Sequence, residues 1–169
     1  MSDLLVVDRQ KCLGCHSCEL ACAVEHSRSK NLYTAIREKP LPRRRVEVEH
    51  YGGSNLPLQC RHCEDAPCVR VCPTKALFRE DEGEAVLVED SLCIGCKWCL
   101  LACPFGVITL DQRSKAIVKC DLCQDRAAGK KPPACAESCP TGALQFTSAP
   151  EYTAKKRKDF LVEYLKNQP

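Results

Sequence analysis

The sequence is poor in the residues that fill an ordinary protein core and in the segments that anchor a chain to a membrane. Its 169 residues include one tryptophan, four tyrosines, four phenylalanines and one methionine. No apolar run approaches the roughly 18 residues that a membrane span requires. The amino terminus, MSDLLVVDRQKC, lacks the basic start and apolar stretch of a secretion signal. We therefore predict a cytoplasmic protein that does not itself span a membrane.

Recognisable catalytic and nucleotide-binding motifs are also missing. There is no nucleophile elbow, no glycine-rich phosphate loop, and no flavin or nicotinamide fingerprint. The basic stretches at 43–45, 126–131 and 155–158 are not interleaved with aromatic residues, and they form no nucleic-acid-binding motif. We predict no catalytic residue and no nucleic-acid partner.

Cysteine, in contrast, is abundant and regularly grouped. Without a secretion signal, clustered cysteines indicate metal or redox sites rather than disulfides. The sixteen cysteines form four groups of four with none left over: Cys12, Cys15, Cys18 and Cys22; Cys60, Cys63, Cys68 and Cys72; Cys93, Cys96, Cys99 and Cys103; and Cys120, Cys123, Cys135 and Cys139.

The spacing within the groups favours iron–sulfur clusters over zinc. The first and third groups have the run C-x2-C-x2-C-x3-C, which holds 4Fe–4S clusters in bacterial ferredoxins. Structural zinc instead uses two C-x2-C knuckles separated by a longer stretch, a pattern that the first three groups lack. The fourth group, C-x2-C-x11-C-x3-C, is the most zinc-like. We predict four 4Fe–4S clusters as the cofactors, and a zinc-binding structural protein is the remote alternative.

The ferredoxin rule also predicts which cysteines share a cluster, because the fourth cysteine of each run ligates the other cluster of a pair. In a nested arrangement the two middle groups pair with each other, as do the two outer groups. The rival arrangement is sequential, pairing the first group with the second and the third with the fourth. The nested ligand sets are Cys12, Cys15, Cys18 and Cys139 (cluster 1); Cys60, Cys63, Cys68 and Cys103 (cluster 2); Cys93, Cys96, Cys99 and Cys72 (cluster 3); and Cys120, Cys123, Cys135 and Cys22 (cluster 4).

Cluster binding would reverse the sign of the charge on the chain. The formal net charge of +3 counts every cysteine as a neutral thiol. Each cluster with its four thiolates adds about −2, so four clusters bring the total to about −5. The basic stretches are therefore candidates for balancing buried anionic clusters or for meeting an acidic partner, besides being ordinary solvated charge.

Short apolar segments separated by turns predict an α+β fold. The sequences ALFREDEGEAVLVED and GVITLDQRSKAIVK each predict a β-hairpin, with turns at 81–83 and 111–114. Further strands are expected at Leu4–Val7 and Val46–Val48. The stretch KWCLLACPFG predicts a short helix, because Cys99 and Cys103 are four residues apart.

Two segments depart from the repeated pattern. Residues 26–55 form an insertion with a helix expected near Leu32–Glu38. The tail at 148–169 has Phe160, Leu161, Tyr164 and Leu165 spaced for one helix face. It either packs on the chain's own surface, which we favour, or docks on another subunit. The remaining residues would form an outer module, 1–25 with 111–147, and an inner module, 56–110.

The stretches QCRHCEDAPCVRVCPTKAL and CIGCKWCLLACPFG resemble the four-cluster electron-transfer subunits of multisubunit oxidoreductases. That family includes the subunits that serve dimethyl sulfoxide and polysulfide reductases, formate hydrogenlyase and carbon monoxide dehydrogenase. The resemblance extends from Cys12 to about Phe146, and HSRSKNLYTAIREKPLPRRRVEVE is most similar to the carbon monoxide dehydrogenase-associated (CooF-type) protein. Some relatives replace one cysteine of the third group with tryptophan, whereas here all four are present beside Trp98.

The resemblance implies a fold of two nested bacterial-ferredoxin-like modules around four iron–sulfur clusters. It implies a non-catalytic subunit that relays electrons between a catalytic subunit, of the carbon monoxide dehydrogenase, hydrogenase or formate dehydrogenase type, and a second redox protein. The alternatives are a subunit of a formate dehydrogenase, hydrogenlyase or molybdopterin reductase, and a free polyferredoxin. Export with a partner that carries a signal stays open.

Residues between the ligands receive a structural interpretation. We expect His16 and His62 to be solvent-facing loop residues rather than modulators of a cluster. Trp98 is expected to pack rather than to carry electrons, and His26 and His50 carry no signal.

Overall fold

The computed structural model describes residues 3–81, 83–111 and 115–166 as a mixed helix–strand fold with four two-stranded antiparallel sheets. This confirms the α+β class. Among the described residues, none of the helices is long and apolar enough to cross a membrane.

The two hairpins expected after the second and third cysteine groups are present. Strand β4 (Leu77–Phe78) pairs with β5 (Leu87–Val88), and β6 (Thr109–Leu110) pairs with β7 (Ile117–Val118). Parts of both predicted turns, residues 82 and 112–114, lie outside the described residues. Strand β7 belongs to the segment assigned to the outer module but pairs with a strand of the inner one, and the module boundaries stay a prediction.

The amino-terminal strand pairs with a strand from the far end of the cysteine-rich region. Strand β1 (Asp3–Val7) lies antiparallel to β8 (Leu144–Ser148), with Leu5 opposite Phe146. The other expected strand is longer than predicted. It runs as β2 (Val46–Tyr51) and forms a hairpin with β3 (Ser54–Gln59), a strand that the sequence had not indicated.

Most helices are short and begin at or beside a cysteine. They are α1 (Ser17–Glu25), α2 (Leu32–Ala35), α3 (Pro67–Arg70), α4 (Trp98–Ala102), α5 (Gln124–Ala128) and α6 (Ala134–Glu137), followed by the long α7 (Ala149–Lys166). Helix α2 is shorter than the expected Leu32–Glu38. Helix α1 packs against α6, and α3 packs against α4.

Twelve of the buried apolar residues form two separate clusters, and both clusters contain cysteines. One comprises Ala66, Cys68, Leu77, Val86, Cys99, Ile108 and Ile117, and the other comprises Cys18, Cys22, Val46, Cys135 and Leu144. Neither contains a buried aromatic residue. The cores therefore surround the cysteine groups and include few large apolar side chains of their own.

The carboxy-terminal tail is helical as predicted, but its apolar face does not pack on the chain. Phe160, Leu161, Tyr164 and Leu165 are all more than half exposed. The start of α7 is held instead, because Lys155 donates a hydrogen bond to the Gln145 side chain at 2.9 Å and Thr147 donates one to Glu151 at 3.1 Å. The expectation of self-packing is wrong for this face.

Candidate metal centres

The first and third cysteine groups form the same kind of loop. Gly14 and Gly95 have φ of +68° and +69°. A Cβ on Gly14 would lie 2.8 Å from the Asn55 side chain, and a Cβ on Gly95 would lie 2.7 Å from the Lys115 carbonyl oxygen. His16 and Lys97 follow in left-handed conformations and precede α1 and α4. Glycine is required where the backbone is left-handed and a neighbour is this close.

The second and fourth groups share a different loop. His62 and Leu122 have positive φ, and their N–H groups donate to the sulfurs of Cys60 and Cys120, each at 3.4 Å. The third cysteine of each group then lies in a one-turn helix, α3 or α6. The fourth group is therefore the second with α5 inserted into it. This likeness argues against a zinc knuckle.

Backbone donors also reach the last cysteines of the two outer groups. The Arg45 N–H donates to the Cys22 sulfur at 3.2 Å, and the Leu144 N–H donates to the Cys139 sulfur at 3.4 Å. Hydrogen bonds of this kind stabilise a thiolate and tune a cluster that it binds.

The outer groups approach each other through their thiols. The pKa of Cys15 is lowered, chiefly by the Ser17 hydroxyl, and the charge of Cys139 opposes this change. Burial raises the pKa of Cys18 to about 11, and Cys139 adds to the increase. Cys22 acts in the same way on the thiols of the fourth group, Cys120, Cys123 and Cys135, where burial is again the largest cause of the raised pKa.

The inner groups approach each other in the corresponding way. Burial raises the pKa of Cys68, and the charges of Cys60 and Cys103 add to the increase. A cavity is lined by four further inner cysteines, Cys72, Cys93, Cys96 and Cys99. Together with the packing of α1 on α6 and of α3 on α4, these contacts bring together cysteines from the first and fourth groups and from the second and third.

The buried thiols are suited to a metal rather than to a free thiolate. Because burial raises their pKa, they would stay protonated at neutral pH, whereas metal coordination deprotonates a thiol outright. Several buried polar atoms also have no partner among the described residues: the side-chain nitrogen and oxygen of Gln59, Nε2 of His62 and Nε of Arg79. They lie beside the second group, where anionic cluster sulfurs would supply acceptors for the N–H groups. The donor set and these orphaned donors fit iron–sulfur clusters.

His62 is not the solvent-facing residue that the sequence predicted. Its Nδ1 accepts a hydrogen bond from the Val86 N–H at 2.9 Å. Burial, and then the charge of Lys119, lower the pKa of His62 to about 3, so the ring is neutral. Because Nδ1 is an acceptor, the proton lies on the unpartnered Nε2. The expectation holds for His16, whose side chain is 58% exposed and lies 3.2 Å from Glu19.

Sequence reasoning missed an ion-pair network beside the fourth group. The His26 ring lies 2.7 Å from the Cys22 carbonyl and 3.1 Å from an Asp121 oxygen, so both of its nitrogens donate. Burial lowers the pKa of His26, but the bonds to Asp121 and Cys22 outweigh this effect and raise it to about 9. Arg45 contacts the other Asp121 oxygen. No motif marks these residues, which become neighbours only through the fold.

The expectation that Trp98 packs within the chain is wrong. Its side chain is 62% exposed, and Leu101 on the same face of α4 is 88% exposed. Cys96 and Cys15 are exposed as well. The first and third groups therefore face the protein surface, and the third does so within an apolar setting. His50 contacts Asn55 at 2.9 Å, and the Asn55 side chain lies against Gly14 of the first group.

Comparison with known proteins gives matches along most of the chain. Two family models, each described as a 4Fe-4S dicluster domain, match residues 53–149 and 11–77. An iron-sulfur protein of Rhodospirillum rubrum is 42% identical over 97% of this chain and 92% of its own length. One subunit of the anaerobic dimethyl sulfoxide reductase of Escherichia coli is 34% identical, over 88% of this chain and 75% of its own. Thiosulfate reductase electron transfer subunit PhsB of Salmonella typhi is 38% identical, over 85% and 74%.

Proposed function

The chain belongs to the 4Fe-4S dicluster family, and from this premise we propose that it relays single electrons between the catalytic subunit of an oxidoreductase and a second redox protein. It carries four 4Fe–4S clusters. Bound clusters supply one-electron carriers whose geometry changes little on reduction. The chain's own residues hold them, shield them and exchange electrons with partners at the surface.

The proposed ligand sets are the nested ones, with Cys139 completing the first group and Cys22 completing the fourth. The observation that supports these ligand sets is the packing of α1 on α6 and of α3 on α4. A sequential arrangement calls instead for α1 beside α3 and for α4 beside α6. The thiol–thiol influences run between the same groups as the helix contacts, which supports the same ligand sets.

Two surfaces are suited to electron exchange. The exposed Cys15 and Cys96 place an edge of the first and third groups at the surface. Apolar side chains surround them: Leu13 is 71% exposed and Leu101 is 88% exposed. A partner that covers these side chains excludes water and approaches the bound cluster closely. The third-group surface exposes Trp98 as well as Leu101, so we assign it to the catalytic subunit and assign the first-group surface to the second redox protein.

The sequence resemblance and the names of the relatives point to different partners. The resemblance of residues 26–49 to the carbon monoxide dehydrogenase-associated protein favours that enzyme, with a hydrogenase as the second partner. The names of two relatives instead concern dimethyl sulfoxide and thiosulfate reductases. A reductase subunit is accordingly the second candidate.

Anaerobic purification from the native host, with iron, sulfide and zinc analysis and identification of bound proteins, tests the proposal. We expect about sixteen iron atoms per chain and a bound catalytic subunit. About eight iron atoms, with zinc making up the rest, would sink the cluster assignment. Full iron with no bound partner would favour the free polyferredoxin.

A matched pair of surface variants tests the docking assignment. Leu101→Asp should weaken association with the catalytic subunit and slow its reduction of the clusters, with the iron content unchanged. Tyr51→Asp is the control, because Tyr51 is 90% exposed at the end of β2, a strand that packs mainly on β3 and α1. Equal effects of the two substitutions would refute the assignment.

A further inference from the structure

Lys119 is a buried cation without a carboxylate partner in the described part of the chain. It follows β7 directly, precedes Cys120, and is 3% exposed. Its Nζ donates to the carbonyl oxygen of Val86 and to that of Cys120, the latter at 2.7 Å. None of the ion pairs found within residues 3–81, 83–111 and 115–166 includes it. Two carbonyl dipoles do not neutralise an ammonium group.

Two other shielded cations of this chain have opposite charges beside them, whereas the partly buried Arg79 donates to backbone carbonyls beside the second group. Arg45 contacts Asp121, and Arg126 contacts both Glu25 and Glu137. Burying a charge without an opposite charge is strongly unfavourable. The position of Lys119 therefore requires negative charge from a source other than the described carboxylates.

Lys119 contacts the surroundings of two cysteine groups at once. Its Nζ donates to the carbonyl of Cys120, the first cysteine of the fourth group, and to the carbonyl of Val86. The Val86 N–H donates to the His62 ring, which lies between two cysteines of the second group, and Val86 belongs to the same core cluster as Cys68. The ammonium group of Lys119 thus lies between the second and fourth groups.

We propose that Lys119 is the shared counter-cation of the two clusters bound by the second and fourth groups, and that its charge raises their reduction potentials. The inference rests on the proposed cluster binding. Each oxidised cluster with its thiolates carries about −2, and one electron from the reductant makes it about −3 with no proton taken up. A fixed positive charge stabilises the reduced form more, because that form is the more negative.

Three substitutions at Lys119 separate charge from shape. Lys119→Met removes the charge and keeps the length. Lys119→Gln removes the charge and keeps N–H donors for the two carbonyls, whereas Lys119→Arg keeps the charge. Lys11→Met is the matched control, since Lys11 also directly precedes the first cysteine of a group but is exposed and paired with Asp8 at 3.1 Å.

The readout is a potentiometric titration of the anaerobically purified chain, followed by electron paramagnetic resonance. In the neutral variants we expect the potentials of the two clusters bound by the second and fourth groups to fall by about 59 mV, which is about a tenfold decrease in the equilibrium constant for one-electron reduction. For the other two clusters, and for all four clusters in Lys119→Arg and Lys11→Met, this equilibrium constant should change by less than about twofold.

Iron and sulfide counts separate failure of this inference from failure of the proposed function. About sixteen iron atoms with unchanged potentials in the neutral variants would overturn the role of Lys119 and leave the relay function standing. An equal shift of all four potentials, or an equal shift in Lys11→Met, would also overturn it. If the neutral variants lose clusters and Lys119→Arg keeps them, the charge is required and the proposal is supported. Loss in all three variants would assign Lys119 a packing role instead.

Discussion

Combining two cysteine substitutions tests the nested ligand sets, because the iron lost depends on whether the two residues serve one cluster. In the nested arrangement Cys15 and Cys139 share a cluster, and Cys22 belongs to another. The structure supports this division, since Cys139 acts on the thiols of Cys15 and Cys18, whereas Cys22 acts on those of the fourth group. Substitution by alanine removes the ligand without offering a hydroxyl in its place.

The magnitudes follow from four irons per cluster. From about sixteen iron atoms, complete loss of one cluster leaves about twelve and loss of two leaves about eight; loss of one iron from a cubane leaves about fifteen. Cys139→Ala with Cys15→Ala should therefore leave no fewer than about twelve. Cys139→Ala with Cys22→Ala should approach eight, because two sites acting independently are additive.

The assay is anaerobic iron and sulfide analysis of each purified variant, with electron paramagnetic resonance to count the remaining clusters. Cys139→Ala with Cys63→Ala is the control, since these cysteines serve different clusters in both the nested and the sequential arrangement. In the sequential arrangement, Cys15 and Cys139 also serve different clusters. Iron as low for the Cys15–Cys139 pair as for this control would refute the nested sets.

Three further predictions concern stability and the tail. Leu77→Ala should lower the free energy of unfolding by about 2–5 kcal/mol, because Leu77 is 2% exposed. Anaerobic guanidinium unfolding measures this change, and the control Leu101→Ala should change the free energy of unfolding by less than about 0.5 kcal/mol. The pKa of His26 in the folded chain is about 9, against an ordinary value of 6.5. Its pairing with Asp121 therefore contributes its full stabilisation of the fold below about pH 6.5, and this contribution is lost as the pH rises through about 9. Thermal unfolding across this range should show that loss, and His26→Gln should flatten it. Deleting residues 150–169 should leave iron content and melting temperature nearly unchanged, since the apolar face of α7 is exposed; a large fall in either would show that the tail supports the fold.

The cysteine spacing predicted most of the site because ligand geometry is local within each loop. The C-x2-C-x2-C run by itself requires the tight turns seen at Gly14 and Gly95. The two hairpins after the second and third groups could be predicted for the same reason, since each joins apolar runs that are close together in the sequence. Strand β3 escaped prediction because Pro57 interrupts its pattern, although Gly52 and Gly53 mark the turn that precedes it.

The missed features depend on contacts between distant segments. His62 looks like a loop residue in the sequence, and only the Val86 N–H, 24 residues later, gives its ring a buried partner. Lys119 is one of 25 lysine and arginine residues, and the sequence around it gives no sign that its side chain is buried. In the tail, the spacing of apolar residues predicted the helix correctly. That spacing does not indicate which surface the apolar face contacts.

The pairing of segments explains why a chain with so few large apolar side chains can form this fold. The two cores are small: their twelve buried residues are five cysteines, six valine, leucine or isoleucine residues and one alanine. Yet β1 pairs with β8, and α1 packs on α6, across more than a hundred residues of chain. Closing so long a loop costs conformational entropy before any contact compensates for it. In the proposed nested arrangement, metal–thiolate bonds would join the first group to the fourth and supply that compensation, since metal binding to cysteines contributes directly to folding free energy. In that arrangement the bonds that hold the clusters would also fix the long-range topology of the chain.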